Sequence, residues 1–301
     1  MKKIVVVGSL NMDYVIEAPH MPVCGETLSG RSVTLVPGGK GANQAYAVGK
    51  LGGDVTMIGA VGRDSSGRAL LNNLKCVDVN VSGVAQIDGG TTGQAFITVD
   101  DNGDNAIIII AGTNGMVTKE LIDEHIQIIR ESAIVMMQLE IPYEVVEYVK
   151  KIAVKEGKTV IVDPAPAAAD LPDDFWKGID YIKPNKTELA ILTGLPLETK
   201  EDLIRGARTM LKKGVGHVIV TLGGDGCMLV EEGTEAFFPS HKVKAVDTTA
   251  AGDSFTAAFA LALSQGKSCK EAISLGQKVS SIAGTRKGAQ TSIPTMAEVE
   301  M

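Results

Sequence analysis

The sequence predicts an α/β protein with three layers: a Rossmann-like, mostly parallel sheet between helices, and a small second β-sheet attached as a lid. Short apolar runs alternate with stretches of helical pattern through most of the 301 residues. Near-continuous hydrophobicity is typical of parallel strands that are covered on both faces. Alternation of strands and helices implies right-handed crossovers within one sheet. Length alone allows one large domain or two smaller ones, and we expect a single domain over residues 1–301.

The elements of the main sheet follow from these runs. Strands are predicted at 4–7, 55–58, 133–137, 159–162, 181–182 and 217–222. Helices are predicted at 43–51, 119–130, 143–156 and 200–213. Pro142 can open the third helix at its first turn, and Gly157 can end it. Thr199 with Asp202 resembles a capping box at the start of the fourth helix, and Gly214 marks its end.

Two segments interrupt the alternation. Residues 11–37 contain strand-like pieces separated by prolines and glycines. Residues 91–112 have the pattern of a β-hairpin, with a turn at residues 101–104 (DNGD). Neither segment is large enough to fold alone, so we expect the two to form one small sheet that projects from the main domain as a lid.

Composition argues against several kinds of partner. The chain has 29 Lys and Arg against 36 Asp and Glu, a net charge of −7, and no run of basic residues, so nucleic acid is not expected as a partner. No apolar stretch approaches the roughly 20 residues that cross a bilayer, so no membrane partner is expected. The four cysteines lie far apart without a C-x-x-C pair, which favours reduced thiols in a cytoplasmic protein.

The strongest local signal is the segment 246–255 (VDTTAAGDSF), which precedes an apolar helix predicted at 256–263. Small residues before a helix allow backbone N–H groups to approach a ligand closely. The helix N-terminus adds a partial positive charge, so the segment suits an anion such as a transferring phosphoryl group. Asp253 would lie in the first turn, where it could accept a proton from an attacking hydroxyl. Simple helix capping by the aspartate explains the spacing equally well.

Other polar or glycine-rich segments lie at predicted strand ends. Segment 38–43 (GGKGAN) opens a helix but lacks the Walker A spacing, and the first strand is not followed by G-x-G-x-x-G. Segments 184–188 (PNKTE) and 221–226 (TLGGDG) follow predicted strands, as do Glu140 and the pair Asn11 and Asp13. Each of them alone is explained as a turn or a cap. Together they would line one crevice along the carboxyl edge of the sheet, where α/β proteins bind ligands.

These motifs together resemble the ribokinase-like (pfkB) family of carbohydrate kinases over nearly the whole chain. The resemblance rests on GSLNMD at 8–13, GET at 25–27, GGKGANQ at 38–44, MQLE at 137–140, DPAP at 163–166, PN at 184–185, TLGGDG at 221–226, DTTAAGD at 247–253 and TRKGAQ at 285–290. The glycine-rich N-terminal segment combined with D-T-x-A-A-G-D is specific to this family.

The resemblance implies phosphorylation of D-ribose at its 5-hydroxyl by ATP, with deoxyribose or a nucleoside as the alternative acceptor. A catalytically silent sugar or nucleotide sensor is disfavoured, because Asp253 and Gly252 are both present. Asp253 would be the catalytic base, and the backbone amides of Ala250, Ala251 and Gly252 would form an anion hole. The sugar hydroxyls would be held by Asn11, Asp13, Gly39, Lys40, Gly41, Asn43 and Glu140.

The resemblance also implies cofactor and subunit contacts. Asn185 and Glu188 would organise the phosphates of ATP and the water shell of Mg²⁺. The nucleotide would be bordered by Thr221, Gly223, Gly224, Asp225, Gly226, Gly252 and Gln277. A monovalent cation, K⁺, would be held by oxygens of Asp247, Thr249, Ala283, Arg286, Gly288 and Ser292. A homodimer through the lid is expected.

Overall fold

The computed structural model describes residues 1–301 and contains two β-sheets. The strands are β1 (Ile4–Val7), β2 (Asn11–Glu17), β3 (Ser32–Gly38), β4 (Val55–Gly62), β5 (Asn80–Ile87), β6 (Gly93–Val99), β7 (Asn105–Ile110), β8 (Ile134–Met137), β9 (Thr159–Val162), β10 (Tyr181–Ile182), β11 (His217–Thr221), β12 (Gly226–Glu231) and β13 (Thr234–Pro239). The helices are α1 (Lys40–Lys50), α2 (Ser65–Lys75), α3 (Lys119–Glu124), α4 (Ile126–Glu131), α5 (Tyr143–Lys155), α6 (Lys186–Thr193), α7 (Lys200–Lys212), α8 (Ala251–Ser264), α9 (Cys269–Gly284) and α10 (Met296–Glu300).

The main sheet has nine strands in the order β13-β12-β11-β10-β9-β8-β1-β4-β5. All neighbours from β11 to β5 pair in parallel, and β12 and β13 extend the sheet as an antiparallel hairpin. One core cluster packs α3 to α7 against one face, and a second packs α1, α2, α8 and α9 against the other. The central strands β1 and β8 are buried throughout, which explains why their sequences are entirely apolar. The predicted three-layer fold with a mostly parallel sheet is confirmed.

Local capping explains where α7 begins. The side chain of Thr199 accepts a hydrogen bond from the Asp202 N–H, and the carboxylate of Asp202 accepts one from the Thr199 N–H. This reciprocal pair satisfies two N–H groups that lack a partner within the helix, so α7 starts where the sequence predicts. Leu203 and Met210, which follow at helical spacing, are buried in the core.

The small sheet has four strands in the order β3-β2-β6-β7, with β2 parallel to β6 and the other pairs antiparallel. It is built from the two segments that the sequence assigns to a second sheet, so this part of the predicted fold is also confirmed. Strand β2 begins at Asn11, a few residues after β1 ends, so the small sheet departs from the carboxyl edge of the main sheet. Its outer strand β7 is exposed along its whole length.

The structure also contains elements that the sequence pattern did not predict, among them α2, β13, α9 and α10, and two further differences have a clear local cause. Residues 119–130, predicted as one helix, form α3 and α4, which meet at His125 with φ −113° and ψ 14°. The buried residues Leu121, Ile122 and Ile129 keep a helical spacing across the break, so the apolar pattern does not reveal it. Strand β5 was not predicted because it is an edge strand with mixed exposure and lacks a continuous apolar run.

None of the helices combines the length and the apolar character that crossing a membrane requires.

Two glycines with similar positive φ provide a test of how tightly β2 packs on the start of α1. Gly39 has φ +87°, and an added Cβ would lie 2.6 Å from the backbone nitrogen of Asn11. Gly52 has φ +83°, and an added Cβ would meet nothing within 4 Å. We expect Gly52→Ala to lower the free energy of unfolding by about 1 kcal/mol through backbone strain alone. Gly39→Ala should cost clearly more, because the backbone of β2 must also move. Urea unfolding of both variants measures the difference, and equal losses would contradict the tight packing.

Candidate active site

A cavity of about 700 Å³ lies beyond the carboxyl ends of the parallel strands. The predicted site residues in its wall are Lys40, Asn185, Glu188, Thr221, Gly223, Gly224, Gly226, Ala250, Ala251, Gly252, Asp253 and Gln277. Asp225 is the exception among the predicted nucleotide residues, because it lines a neighbouring surface pocket instead. The structure therefore brings most of the predicted nucleotide and anion-hole residues together from segments that are far apart in the sequence, while Lys40 and Asp253 are the predicted sugar contacts that line this cavity.

Asp253 lies in the first turn of α8 and is buried. Ala250 precedes this helix in the left-handed conformation, with φ 57°. The Asp253 Oδ2 accepts a hydrogen bond from Asn43 Nδ2 at 3.0 Å, and its Oδ1 accepts one from Gln44 Nε2 at 3.1 Å. Burial raises the pKa of Asp253, and the nearby ammonium of Lys40 opposes that shift. A buried carboxylate with a raised pKa at a helix start is suited to accept a proton.

The amides before α8 are not all free. The Ala251 N–H donates to the Thr248 carbonyl at 3.1 Å, while the N–H of Gly252 belongs to the first turn, where no intrahelical acceptor exists. Of the three amides expected to form an anion hole, that of Ala251 therefore has a partner within the loop. A ligand that uses all three amides would have to displace this bond.

Two buried lysines balance the carboxylates of the cavity. Lys183 Nζ contacts Asp163 Oδ2 at 3.1 Å, with side chains only 8% and 1% exposed. Burial lowers the pKa of Lys40, but the carboxylates of Asp253, Asp163 and Glu140 outweigh it, and the pKa is raised. Sequence reasoning gave no role to Lys183 or Asp163. The local signals were that each directly follows a predicted strand and that Asp163 opens the DPAP segment.

The predicted sugar contacts cluster at the junction with the small sheet. Asn11 Oδ1 accepts a hydrogen bond from Asn114 Nδ2 at 2.7 Å, so the Asn11 amide group keeps its N–H donors for another partner. Asp13 Oδ1 is buried without any hydrogen-bond partner. Glu140 Oε2 accepts hydrogen bonds from Ser9 Oγ and from the Lys40 N–H. Asn114, which orients Asn11, was missed because no motif marks it.

In the cavity wall, Asn185 and Glu188 hold each other in a capping box at the start of α6. Each side chain accepts a hydrogen bond from the other's N–H at 2.8 Å. Burial and the charge of Asp163 raise the pKa of Glu188. Gln277 Nε2 donates to the Phe238 carbonyl at 2.8 Å, which fixes that amide at the cavity wall.

The predicted cation residues lie where the loop before α8 meets the end of α9. Asp247 Oδ1 accepts hydrogen bonds from the Thr249 N–H and hydroxyl, and Oδ2 accepts one from the Gly288 N–H at 2.9 Å. Burial raises the pKa of Asp247, but these hydrogen bonds outweigh it and hold the pKa below its usual value. The other predicted ligands already have partners within the protein. The Ala283 carbonyl accepts a hydrogen bond from the Arg286 N–H, the Arg286 side chain forms an ion pair with Glu298, and the Ser292 hydroxyl donates to the Ala289 carbonyl.

No three His, Cys, Asp or Glu side chains are grouped so that they could hold a metal ion. Any cation at either position would therefore depend on carbonyl, hydroxyl, water or phosphate oxygens in addition to a carboxylate. Such oxygens are the donors that Mg²⁺ and K⁺ prefer, so the residues present fit hard cations and do not fit zinc.

Comparison with known proteins shows the family of the chain. The model of the pfkB family of carbohydrate kinases matches residues 1–296. A ribokinase of Haemophilus influenzae is 38% identical over 297 residues, which cover 99% of this chain and 97% of that protein. A deoxyribokinase of Salmonella typhi is 34% identical over 295 residues, with coverage of 98% and 96%. The crystal structure of Arabidopsis thaliana ribokinase complexed with ribose and ATP superposes with a TM-score of 0.93 at 35% identity and coverage of 99% and 97%.

Asp13 is expected to destabilise the folded chain in a pH-dependent way. Burial, followed by the charges of Glu140 and Asp253, raises the pKa of Asp13 from 3.8 to about 7. Because the folded pKa lies above the unfolded one, stability is lost as the pH rises from 3.8 towards 7. Asp13→Asn should therefore raise the free energy of unfolding by on the order of 3 kcal/mol near pH 8.

This gain should shrink as the pH falls to about 5, because the wild-type carboxyl is then largely protonated. Urea unfolding at the two pH values measures the effect. Asp54→Asn serves as the matched control, since Asp54 is exposed and its side chain makes no hydrogen bond or ion pair. A gain for Asp13→Asn that is independent of pH would contradict the shifted pKa.

Proposed function

The chain belongs to the pfkB family of carbohydrate kinases, and we propose that it transfers the γ-phosphoryl group of ATP to the 5-hydroxyl of D-ribose. The products are ribose 5-phosphate and ADP. The observation that carries this proposal is the position of Asp253, a buried carboxylate at the start of α8 that lines the cavity of the predicted nucleotide residues and accepts a hydrogen bond from Asn43, a predicted sugar contact. The match to a ribokinase solved with ribose and ATP supports the same pair of substrates.

In the proposed reaction, Asp253 accepts the proton of the 5-hydroxyl as its oxygen attacks the γ-phosphorus. The amides of Ala250, Ala251 and Gly252 stabilise the charge on the transferring group, and Ala251 gives up its bond to the Thr248 carbonyl to do so. The sugar is held by Asn11, Asp13, Asn43, Glu140 and the turn Gly39-Lys40-Gly41. ATP lies along the wall that contains Thr221, Gly223, Gly224, Gly226, Gly252 and Gln277, with Asp225 at its outer edge.

The choice of ribose over deoxyribose rests on Asn11. Its carbonyl oxygen is occupied by Asn114, so its amide group is left as a donor for a hydroxyl oxygen of the sugar. Deoxyribose lacks the 2-hydroxyl that such a donor would recognise. The 34% identity to a deoxyribokinase keeps deoxyribose as the second candidate, with a nucleoside as a further alternative.

Two cations belong to the proposal. Asn185 and Glu188 would organise the water shell of the Mg²⁺ that accompanies ATP and neutralises phosphate charge. K⁺ would be held by oxygens of Asp247 and Thr249 together with Ala283, Arg286, Gly288 and Ser292, beside the anion hole. The hydrogen bond from Gly288 to Asp247 already joins these two segments, which supports a shared site.

We also propose that the chain is one domain, with the small sheet as a lid over the sugar, and that two chains pair through this lid. Strands β3 and β7 are its free edges, and Val33, Leu35 and Ile108 on them are more than half exposed. Uncovered apolar edges need a partner, and a second copy supplies one. A single-chain mass in solution would contradict the dimer. The use of ATP supports a cytoplasmic enzyme.

The role of Asp253 is tested by Asp253→Asn, which keeps the shape of the side chain and removes its ability to accept a proton. The kcat with ribose should fall by at least about 100-fold, while ATP still binds. Release of ADP across pentoses, hexoses and nucleosides measures both activity and preference. Ribose should be the best acceptor. A variant that turns over at a near-normal rate, or a wild-type chain that prefers deoxyribose, would contradict the corresponding part of the proposal.

The proposed K⁺ acts on the segment of residues 247–252 at the start of α8. The small side chains of this segment leave its backbone flexible. Activity should rise when K⁺ replaces tetramethylammonium at constant ionic strength, because the ion makes the ordered anion hole the dominant conformation. Asp247→Ala should weaken this response while ribose binding is retained. Equal turnover in the two salts would show that no functional cation site is present and that only general screening acts.

A further inference from the structure

Gln44 connects the proposed base to residues behind it. Its side chain is completely buried, and Nε2 donates to Asp253 Oδ1 at 3.1 Å and to Asp163 Oδ2 at 3.2 Å. Both amide hydrogens are therefore directed at carboxylates. Its Oε1 accepts a hydrogen bond from Gln138 Nε2 at 2.7 Å. A flipped amide would turn its oxygen towards two carboxylates and lose all three bonds, so the orientation is fixed.

The orientation of Gln44 depends in turn on where Gln138 lies. Gln138 follows β8, and Gly8 follows the neighbouring strand β1, whose last residue pairs with Met137. An added Cβ on Gly8 would lie 1.9 Å from Gln138 Oε1. The glycine at the end of β1 therefore makes room for the amide that holds Gln44.

A second chain of amides holds the other oxygen of the base. Asn43 Nδ2 donates to Asp253 Oδ2 at 3.0 Å, and Asn43 Oδ1 accepts from Gln290 Nε2 at 3.0 Å. Gln290 is buried in a short 3₁₀ turn (Gln290–Ser292), and its Oε1 accepts a hydrogen bond from Asn73. Each link fixes the orientation of the next, so Asn43 also presents an N–H donor to the carboxylate.

We propose that Gln44 and Gln290 are positioning residues for the phosphoryl transfer: Gln44 holds one oxygen of Asp253, and Gln290 holds Asn43, which binds the other oxygen. The inference rests on the proposed function. Neither side chain belongs to the expected sugar or nucleotide contacts, so both act through the base: Gln44 directly and Gln290 through Asn43. Their effect is to favour the ionised carboxylate despite its burial and to fix its direction before the sugar arrives.

The charge of Asp253 is also influenced by groups on the surrounding elements. These are the cations Lys40 and Lys183 and the carboxylates Asp13, Asp163 and Glu140. The two amides differ from all of them because they donate directly to the base, or to the residue that does, without carrying charge. Substituting an amide therefore leaves the charges of the site unchanged.

The test uses Gln44→Met and Gln290→Met, with Gln127→Met on the exposed face of α4 as the matched control. Loss of a hydrogen bond to a charged group should lower kcat about ten- to a hundredfold in Gln44→Met, and Gln290→Met should lower kcat less, because it releases Asn43 and leaves the carboxylate with its other donor. The acidic limb of kcat against pH should move to higher pH, because an unsupported buried carboxylate is protonated more readily. KM for ATP and the control should stay within about twofold of wild type.

In an Asp253→Asn background, neither substitution should lower kcat further, since both act through the carboxylate. An unmoved acidic limb in an active enzyme, or a full additional loss in that background, would overturn the inference while leaving the proposed function intact. A wild-type chain inactive on every sugar would overturn the proposed function and this role together. If Gln44→Met does not fold, as judged by circular dichroism, the same two criteria apply to Gln290→Met.

Discussion

The burial of several carboxylates at the carboxyl edge of one parallel sheet is the constraint that shapes the rest of this molecule. Asp253 and Asp163 are withdrawn from water, and burial raises the pKa of Asp253 and of Glu140. Lys40 and Lys183 supply opposite charge close to these carboxylates, and Lys242 also lines the cavity. The remaining compensation comes from uncharged donors and from the positive end of α8. The cavity wall carries three carboxylates and three lysines, so it offers phosphate groups no excess of positive charge, and cations that accompany the phosphates would help them bind.

Much of the fold follows from the sequence because strands that are buried on both faces must be apolar throughout. The first-turn position of Asp253 was predictable for a similar reason: small residues and a following apolar run mark a helix start. The partners of Asp253 were not predictable. Gln44 and Gln290 are separated from it by long stretches of chain, and glutamine has no characteristic spacing that indicates a role. Such contacts can be identified only once the strand order is known.

The glycines show a related limit. The sequence explains glycine-rich segments by turns or by close approach of a ligand to the backbone. In the structure, several make room for polar side chains of the protein itself. An added Cβ would lie 2.1 Å from Asp13 Oδ2 at Gly38 and 2.3 Å from Asn11 Oδ1 at Gly93. At both positions the missing side chain leaves room for a polar group of the protein, which a motif alone cannot distinguish from ligand contact.

The register of the small sheet has a consequence for how water is kept from the reaction. Asn11 pairs with both Gly38 and Gly93. The residue that is proposed to hold the sugar is therefore also the first residue of β2 in the small sheet. Asp253 belongs to the main domain. Any hinge between the two sheets would therefore carry the acceptor towards or away from the base. If a bound sugar brings the two sheets together, ATP and the sugar hydroxyl would meet only in that closed form. Hydrolysis of ATP would then be suppressed in the open form.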